Sequence, residues 1–337
     1  MARELDELQE LERILEAGAR HLEVRVLGEA LGGEIRFPLY AVVLGTPAQD
    51  APAVGFFGGV HGLERIGTQV LLAFLDSLAC RLPGDESLEH LLSEVRLVFM
   101  PLVNPAGMRR GRRSNASGVD LMRNAPVDAS ERAAFLVGGH RLSARLPWYR
   151  GRAGAPMEPE SRALCDLVET ELLARPFAIA LDCHSGYGLR DRVWFPHAHT
   201  RAPFARLGEV HALVEAFGAA APGHPYLFEP QSRRYLAHGD LWDHLSASAA
   251  ARQQIFLPLT LEMGSWRWIR KEPRQLLSRL GMFNPLPRDR AERVKRNHLP
   301  LLHFLCTAAR NHRQWLPTGE ARLRHERAAL AAWFPAR

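Results

Sequence analysis

"AVGFFGGVHGLERIGTQVLLAFLDSLACRL" (residues 53–82) changes its period halfway along. The first part, AVGFFGGV (53–60), is an unbroken apolar run of strand length, the pattern of a strand covered on both faces. The last part, GTQVLLAFLDSLACRL (67–82), repeats apolar residues at helical spacing. Between the two, His61 and Glu64 stand three positions apart amid Gly58, Gly59, Gly62 and Gly67, which let the backbone turn tightly off the strand so that both side chains can face one point. A covered strand running directly into a helix is the unit from which parallel α/β sheets are built.

The flanking sequence repeats the unit. HLEVRVLG (21–28) and IRFPLYAVVLG (35–45) read as strands ahead of it, and EVRLVFMPLV (94–103) as a buried strand after it, ending at Asn104-Pro105. PESRALCDLVETELLA (159–174) is predicted helical and FAIALDC (177–183) a buried strand. Helices follow at 201–220 and 239–250, then the strand QIFLPLTLEMG (254–264), and the chain is helical from about 288. Residues 105–157 are rich in Gly, Arg, Ser and Pro without periodicity, too long for a plain connector, which points to a functional excursion. The expected fold is a three-layer α/β/α domain over 1–337, with a twisted, mostly parallel mixed sheet and helices on both faces. An N-terminal helix and a helical C-terminal extension would flank it.

Composition narrows the class. Of the 337 residues, 47% are hydrophobic and 24% charged, ordinary for a water-soluble globular fold. The net charge of +6 raises the question of an anionic partner. All but two of the basic residues, Lys271 and Lys295, are arginines dispersed along the chain, and no basic motif carries interleaved aromatics, so a nucleic-acid partner is not expected. The start, MARELDELQELERILEAGAR, has Leu5, Leu8, Leu11 and Leu15 at helical spacing and reads as an amphipathic helix rather than a signal peptide. No run approaches the ~18 apolar residues of a membrane span, so no membrane partner is expected. Cys80, Cys165, Cys183 and Cys306 are far apart and unpaired in pattern, consistent with buried thiols in a cytoplasmic protein.

Polar residues gather at the predicted strand ends, where α/β sheets bind ligands. His61 and Glu64 follow one strand, His184 follows another, and Glu262 closes a third. Two histidines and a glutamate form a known catalytic zinc set. With 15 histidines in the chain a His-x-x-Glu spacing also arises by chance, and His184 taken alone reads first as a hydrogen-bonded core histidine. Glu262 is harder to set aside, because a carboxylate within an apolar strand is costly unless paired or functional.

NPAGMRRGRRSNASGVDLMRN (104–124), taken with these residues, resembles the zinc carboxypeptidase family. His-x-x-Glu, Asn-Pro-x-Gly, an arginine, Gly-Val-Asp, a third histidine and a late glutamate occur in that order across about 50–265. The resemblance implies that His61, Glu64 and His184 hold one zinc ion and that Glu262 is the general base. Asp120 would hydrogen-bond a ligand histidine. Asp182, on the same strand face as His184, is an alternative for that role. Arg113 would stabilise the oxyanion, with Arg109, Arg110 and Arg112 close enough to leave the register open. YLAHGDLWD (235–243) is similar to the family segment whose mobile tyrosine closes over substrate, making Tyr235 the candidate. Arg123, Ser185 and Trp242 are the implied substrate-binding residues, Trp242 near the base of a side-chain pocket. HAH (197–199), with no third ligand nearby in sequence, reads as loop histidines.

One position departs from the family. Met122 stands where an asparagine helps hold the substrate's terminal carboxylate, and a thioether cannot donate a hydrogen bond. The expected activity is zinc-dependent hydrolysis of a peptide or peptide-like amide, probed against one alternative: a deacylase of N-acyl amino acids similar to the aspartoacylase and succinylglutamate desuccinylase group. The expected partner is a small peptide or acyl-amino-acid substrate.

Overall fold

The computed structural model describes residues 5–335; residues 1–4, the first of the predicted N-terminal helix, and 336–337 lie outside the described residues. The strands are β1 (Glu23–Leu31), β2 (Arg36–Gly45), β3 (Ala53–Gly58), β4 (Arg96–Met100), β5 (Phe177–Ser185), β6 (Arg192–Phe195), β7 (Leu227–Pro230) and β8 (Ile255–Met263). They form one mixed sheet in the order β1-β2-β4-β3-β5-β8-β6-β7. The central ladders β4-β3, β3-β5 and β5-β8 are parallel, and β1-β2, β2-β4 and β6-β8 are antiparallel.

The helices are α1 (Asp6–Ala17), α2 (Arg65–Arg81), α3 (Glu86–Glu94), α4 (Pro105–Arg109), α5 (Pro159–Glu171), α6 (Leu207–Ala220), α7 (Leu241–Ala251), α8 (Trp266–Lys271), α9 (Arg288–Arg310), α10 (His312–Trp315) and α11 (Gly319–Trp333). On one face of the sheet α1, α2, α3, α6, α9 and α11 pack against Val54, Phe56, Ile179, Leu181, Leu259 and Leu261. On the other, α5 and α7 pack against Phe57, Ala178, Ala180 and Phe256. Strand alternation sorts these side chains. Phe56 is fully buried, stacked on Phe99 at 5.0 Å and edge-on to Phe74 at 5.3 Å; burying such a ring stabilises by about 1.5–3 kcal/mol.

The same alternation puts Asp182 and His184 of β5, and Thr260 and Glu262 of β8, on the α5/α7 side at the carboxyl ends of the strands. His184 and Glu262 are directly paired across the ladder. β3 lies between β4, which follows it, and β5 on its other flank, so the chain reverses its strand order there. That reversal opens a crevice beyond the strand ends.

Several expectations need correction. The sequence reading places no strand at β6 or β7; each has four residues, too short to show a period. They form because the edge of β8 offers unpaired backbone groups to Arg192–Trp194, after which β7 pairs with β6. The predicted helix at 201–220 starts only at Leu207. Cys80 is exposed, unlike the other three cysteines, because it lies on the outer side of the last turn of α2. Among the described residues no single helix is long and apolar enough to cross a membrane.

Candidate active site

The turn after β3 does what its glycines suggested, and two of them are obligatory. Gly59 has φ +66°, and a Cβ on Gly62 would stand 2.2 Å from the backbone of Gly107 and Met108. Asn104 ties this turn to the following loop, its amide donating to the Val60 carbonyl at 3.2 Å and its oxygen accepting from Gly107 N at 2.8 Å. Asn284, far along the chain, brackets the other side: it accepts from Ile66 N at 2.9 Å and donates to the Leu63 carbonyl at 2.8 Å. Neither asparagine was given a role from sequence; Asn104 entered only through the Asn-Pro punctuation and the Asn-Pro-x-Gly motif, and Asn284 not at all.

His61, Glu64 and His184, all buried, converge. His61 Nδ1 lies 2.9 Å from Glu64 Oε1, His184 Nδ1 lies 2.9 Å from Glu64 Oε2, and the two Nδ1 atoms are 3.2 Å apart. The far ring nitrogens are both taken: His61 Nε2 sits 3.1 Å from Asp120 Oδ1, and His184 Nε2 sits 2.7 Å from Asp182 Oδ2. With each Nε2–H donated to a carboxylate, both Nδ1 lone pairs and both Glu64 oxygens point at one spot. Such a set of acceptors needs a positive charge among them. Burial opposes ionisation of Glu64, yet the two imidazoles hold its carboxyl below the ordinary range. Burial likewise pulls His184 down, but Asp182 and Glu64 outweigh it and leave the ring well above its usual pKa. The separations of 2.9–3.2 Å are near the ~3.3 Å edge of a tetrahedron with zinc–nitrogen bonds of about 2.0–2.1 Å. The donor set fits zinc.

Both aspartates considered from sequence are engaged, one per histidine. Asp120 also accepts from Arg113 Nε at 2.7 Å, and Arg113 Nη1 lies 3.4 Å from Glu64 Oε1. Against the cost of burial, Arg113 and His61 hold the Asp120 carboxyl well below its ordinary pKa. Of the arginine cluster, Arg112 and Arg113 line the cleft and Arg113 pairs with Asp120 and Glu64, whereas Arg109 stacks over Phe37 of β2 at 5.9 Å.

The cleft over these residues has a volume of about 770 Å³. Glu262 lines it, its Oε1 accepting from Tyr187 N at 3.0 Å, and burial together with the Glu64 charge pushes its carboxyl up to about 8. Tyr235 lines it too, with its hydroxyl 3.2 Å from Arg123 Nη2. Arg123 donates as well to the carbonyls of Met122 at 3.3 Å and Val137 at 3.4 Å. Ser185 is held in the wall by its hydroxyl, which donates to the Phe283 carbonyl at 2.7 Å, while its N–H donates to Glu64 Oε2 at 3.0 Å.

Trp242 is not at the base of the cleft. It is buried on α7 against Phe57 and Phe256, and its indole N–H donates to Asp182 Oδ2 at 3.0 Å. The helix turns that side chain toward the sheet, so it supports the His184 partner instead of touching the cleft space. His197 and His199 do have a third neighbour. Asp243 Oδ2 lies 2.7 Å from His199 Nδ1, but the same carboxylate accepts from Ala198 N and His199 N, which ties the loop to α7.

A family model described as "Zinc carboxypeptidase" matches residues 19–256. The chain belongs to the zinc carboxypeptidase family. The family match stops within β8, six residues before Glu262, so the place of that glutamate rests on the strand itself. Among relatives, carboxypeptidase SOL1 of Arabidopsis thaliana is 30% identical over 103 residues, covering 30% of this chain and 20% of that protein. Carboxypeptidase M of Mus musculus is 26% identical over 161 residues, covering 44% of this chain and 31% of that protein. The match thus spans less than a third of either relative. Thrombin-activatable fibrinolysis inhibitor superposes with a TM-score of 0.68 at 19% identity, covering 92% of this chain and 75% of that one. Carboxypeptidase A of Helicoverpa armigera gives 0.63 at 16% identity, covering 89% and 71%. These likenesses establish a shared zinc carboxypeptidase fold.

Proposed function

We propose that the chain is a zinc-dependent hydrolase that releases the C-terminal residue of a peptide or peptide-like amide. The observation that carries this reading is a single cleft lined by the convergent His61–Glu64–His184 set, the carboxylate of Glu262 and the guanidinium groups of Arg113 and Arg123.

Zinc, when bound by His61, Glu64 and His184, supplies Lewis acidity and makes water nucleophilic near neutral pH. Glu262, raised in basicity by burial and by Glu64, accepts the proton of the attacking water and then delivers it to the departing nitrogen. Arg113, oriented by Asp120, donates toward the oxygen on which negative charge develops; its position is prepaid by that ion pair. Arg123 and Tyr235 receive the substrate's terminal carboxylate. The Met122 side chain contributes only apolar surface to that clamp, so the grip falls on the arginine and the phenol. Asp120 and Asp182 keep the imidazoles in the tautomer that turns both Nδ1 atoms inward.

The test is hydrolysis of blocked dipeptides beside N-acyl amino acids, with and without chelator. Release of the C-terminal residue from the dipeptides, abolished by chelation and restored by zinc, is expected. Cleavage confined to the N-acyl amino acids would overturn the carboxypeptidase reading in favour of a deacylase.

A further inference from the structure

The C-terminal helix α11 packs along α6, on the face of the sheet opposite α5 and α7. Apolar burial gives it little reason to stay there, since only Ala329 and Trp333 of α11 are buried. Its first half is tied by Arg322, which donates to Glu209 Oε1 at 3.0 Å and to the Ala205 carbonyl at 2.7 Å. Its last turn is seated by Trp333, edge-on to Phe195 of β6 at 4.7 Å and 5.7 Å from the His211 ring. Between these two anchors, His325 of α11 meets His211 and Glu215 of α6.

His211 and Glu215 stand four residues apart on α6, the spacing that sets two side chains side by side on one helix face. His325 Nδ1 lies 3.1 Å from His211 Nδ1 and 3.5 Å from Glu215 Oε2, and His211 Nδ1 lies 3.8 Å from Glu215 Oε1. Among the described residues the ion-pair partners of Glu215 are these two imidazoles alone, because Arg322 on the same seam is taken by Glu209 and Glu326. Two neutral rings that face each other through Nδ1 can place at most one proton between them, which leaves a lone pair and a carboxylate turned to the same spot.

The cleft supplies an internal measure of this arrangement. There the two Nδ1 atoms of His61 and His184 are 3.2 Å apart, each 2.9 Å from an oxygen of Glu64. The α6–α11 seam holds the same donor types with nearly the same nitrogen separation, and only its carboxylate stands farther off. Glu215, with its side chain 62% exposed, is free to close that gap. The ~3.3 Å edge of a tetrahedron built on zinc–nitrogen bonds of about 2.0–2.1 Å falls inside the observed range of 3.1–3.8 Å. Imidazole with carboxylate suits zinc, whereas magnesium and calcium favour sets made of oxygen alone.

We propose that His211, Glu215 and His325 form a second zinc site that clips α11 to α6. None of the three residues lines the catalytic cleft, and the site does not depend on what the cleft hydrolyses. The clip holds Trp333 against Phe195, and Trp194, the preceding residue of β6, lines the cleft, so the ion braces that wall from behind.

The experiment equilibrates the purified full chain with buffered, low-micromolar free zinc and measures bound metal. Two equivalents are expected in the wild type and one in each of His211→Gln and His325→Gln, with turnover unchanged in His325→Gln. Hydrogen exchange of the wild type locates the ion without any substitution. At free zinc about ten times the dissociation constant of the second equivalent, the amides of α11 should exchange about 10-fold more slowly than in the chain holding one, because an ion bound only by the docked helix multiplies its excess over the open form by that factor. The slowing should be absent in His325→Gln, and magnesium should not produce it. A single equivalent in the wild type, a second one that persists in both variants, exchange in α11 indifferent to zinc, or an equal effect of magnesium overturns the site.

Discussion

Replacing Trp242 by phenylalanine should weaken zinc binding without removing an atom from the cleft. The indole N–H is one of two donors to Asp182 Oδ2, at 3.0 Å, beside His184 Nε2 at 2.7 Å. Asp182 is fully buried and its Oδ1 has no partner among the described residues, so nothing stands ready to replace the lost bond. A hydrogen bond to a buried charged group contributes about 1.5–3 kcal/mol. Part of that loss appears as reduced stability, and part as a looser hold on the ring whose Nδ1 faces the metal position. Partners that orient a ligand in this way typically control metal affinity by about 10–100-fold. Phenylalanine keeps the aromatic contacts with Phe57 at 5.2 Å and Phe256 at 6.5 Å nearly filled, which limits the cavity contribution. Competition of the purified protein with a chromophoric chelator at neutral pH measures the change. A cycle with Asp182→Asn isolates it, since the tryptophan substitution should cost less once the carboxylate is gone. Wild-type zinc affinity in Trp242→Phe, with only the denaturation midpoint lowered, would refute the reasoning and reduce Trp242 to core packing.

Three other outcomes follow. Glu262→Gln preserves shape and the oxygen that accepts from Tyr187 N; it should lower kcat by about 10²–10⁴-fold while zinc content, measured by metal analysis, stays at wild-type level. His298 of α9, bonded at Nδ1 to the Tyr226 hydroxyl at 2.8 Å, is held neutral, burial lowering its pKa to about 4. The unfolded chain binds that proton near the ordinary histidine value of about 6.5, so stability is lost as pH falls from about 6.5 to 4, by roughly 3 kcal/mol if His298 acts alone. Urea midpoints against pH should flatten over that window in His298→Gln, and an unchanged slope would contradict the assignment. Gly62→Ala forces a Cβ to 2.2 Å from the Gly107–Met108 backbone and should cost about 3 kcal/mol in urea denaturation, a full wild-type midpoint being the contrary result.

Much of the site was legible because its parts lie at strand ends with recognisable local patterns. His61 and Glu64 share one turn, Asp182 and His184 share one strand face, and the glycines between strand and helix announce a tight turn. The buried strands β3, β5 and β8 declare themselves by unbroken apolar runs, and α2 by its period. The edge strands β6 and β7 escaped because four residues carry no period and form only where β8 offers a ladder. Asn284 escaped because its partners, Leu63 and Ile66, are more than 200 residues away. Trp242 was assigned to a pocket by its place in a motif, yet the rotation of α7 turned it to Asp182.

By itself the sequence determined the layer architecture, because apolar periodicity acts over a few residues, while the candidate metal ligands and Glu262 were named through the order of motifs that carries the family resemblance. The tertiary structure decided how those pieces meet. It brought His184 to within 3.2 Å of His61 across 123 residues of chain, chose Arg113 from a run of four arginines, and gave each histidine its own aspartate. It also left one buried oxygen of Asp240, in the wall of the cleft, without a hydrogen-bond partner among the described residues. Proximity between distant segments is set by packing of whole layers, and no local pattern encodes which side chain a packed neighbour will leave unsatisfied.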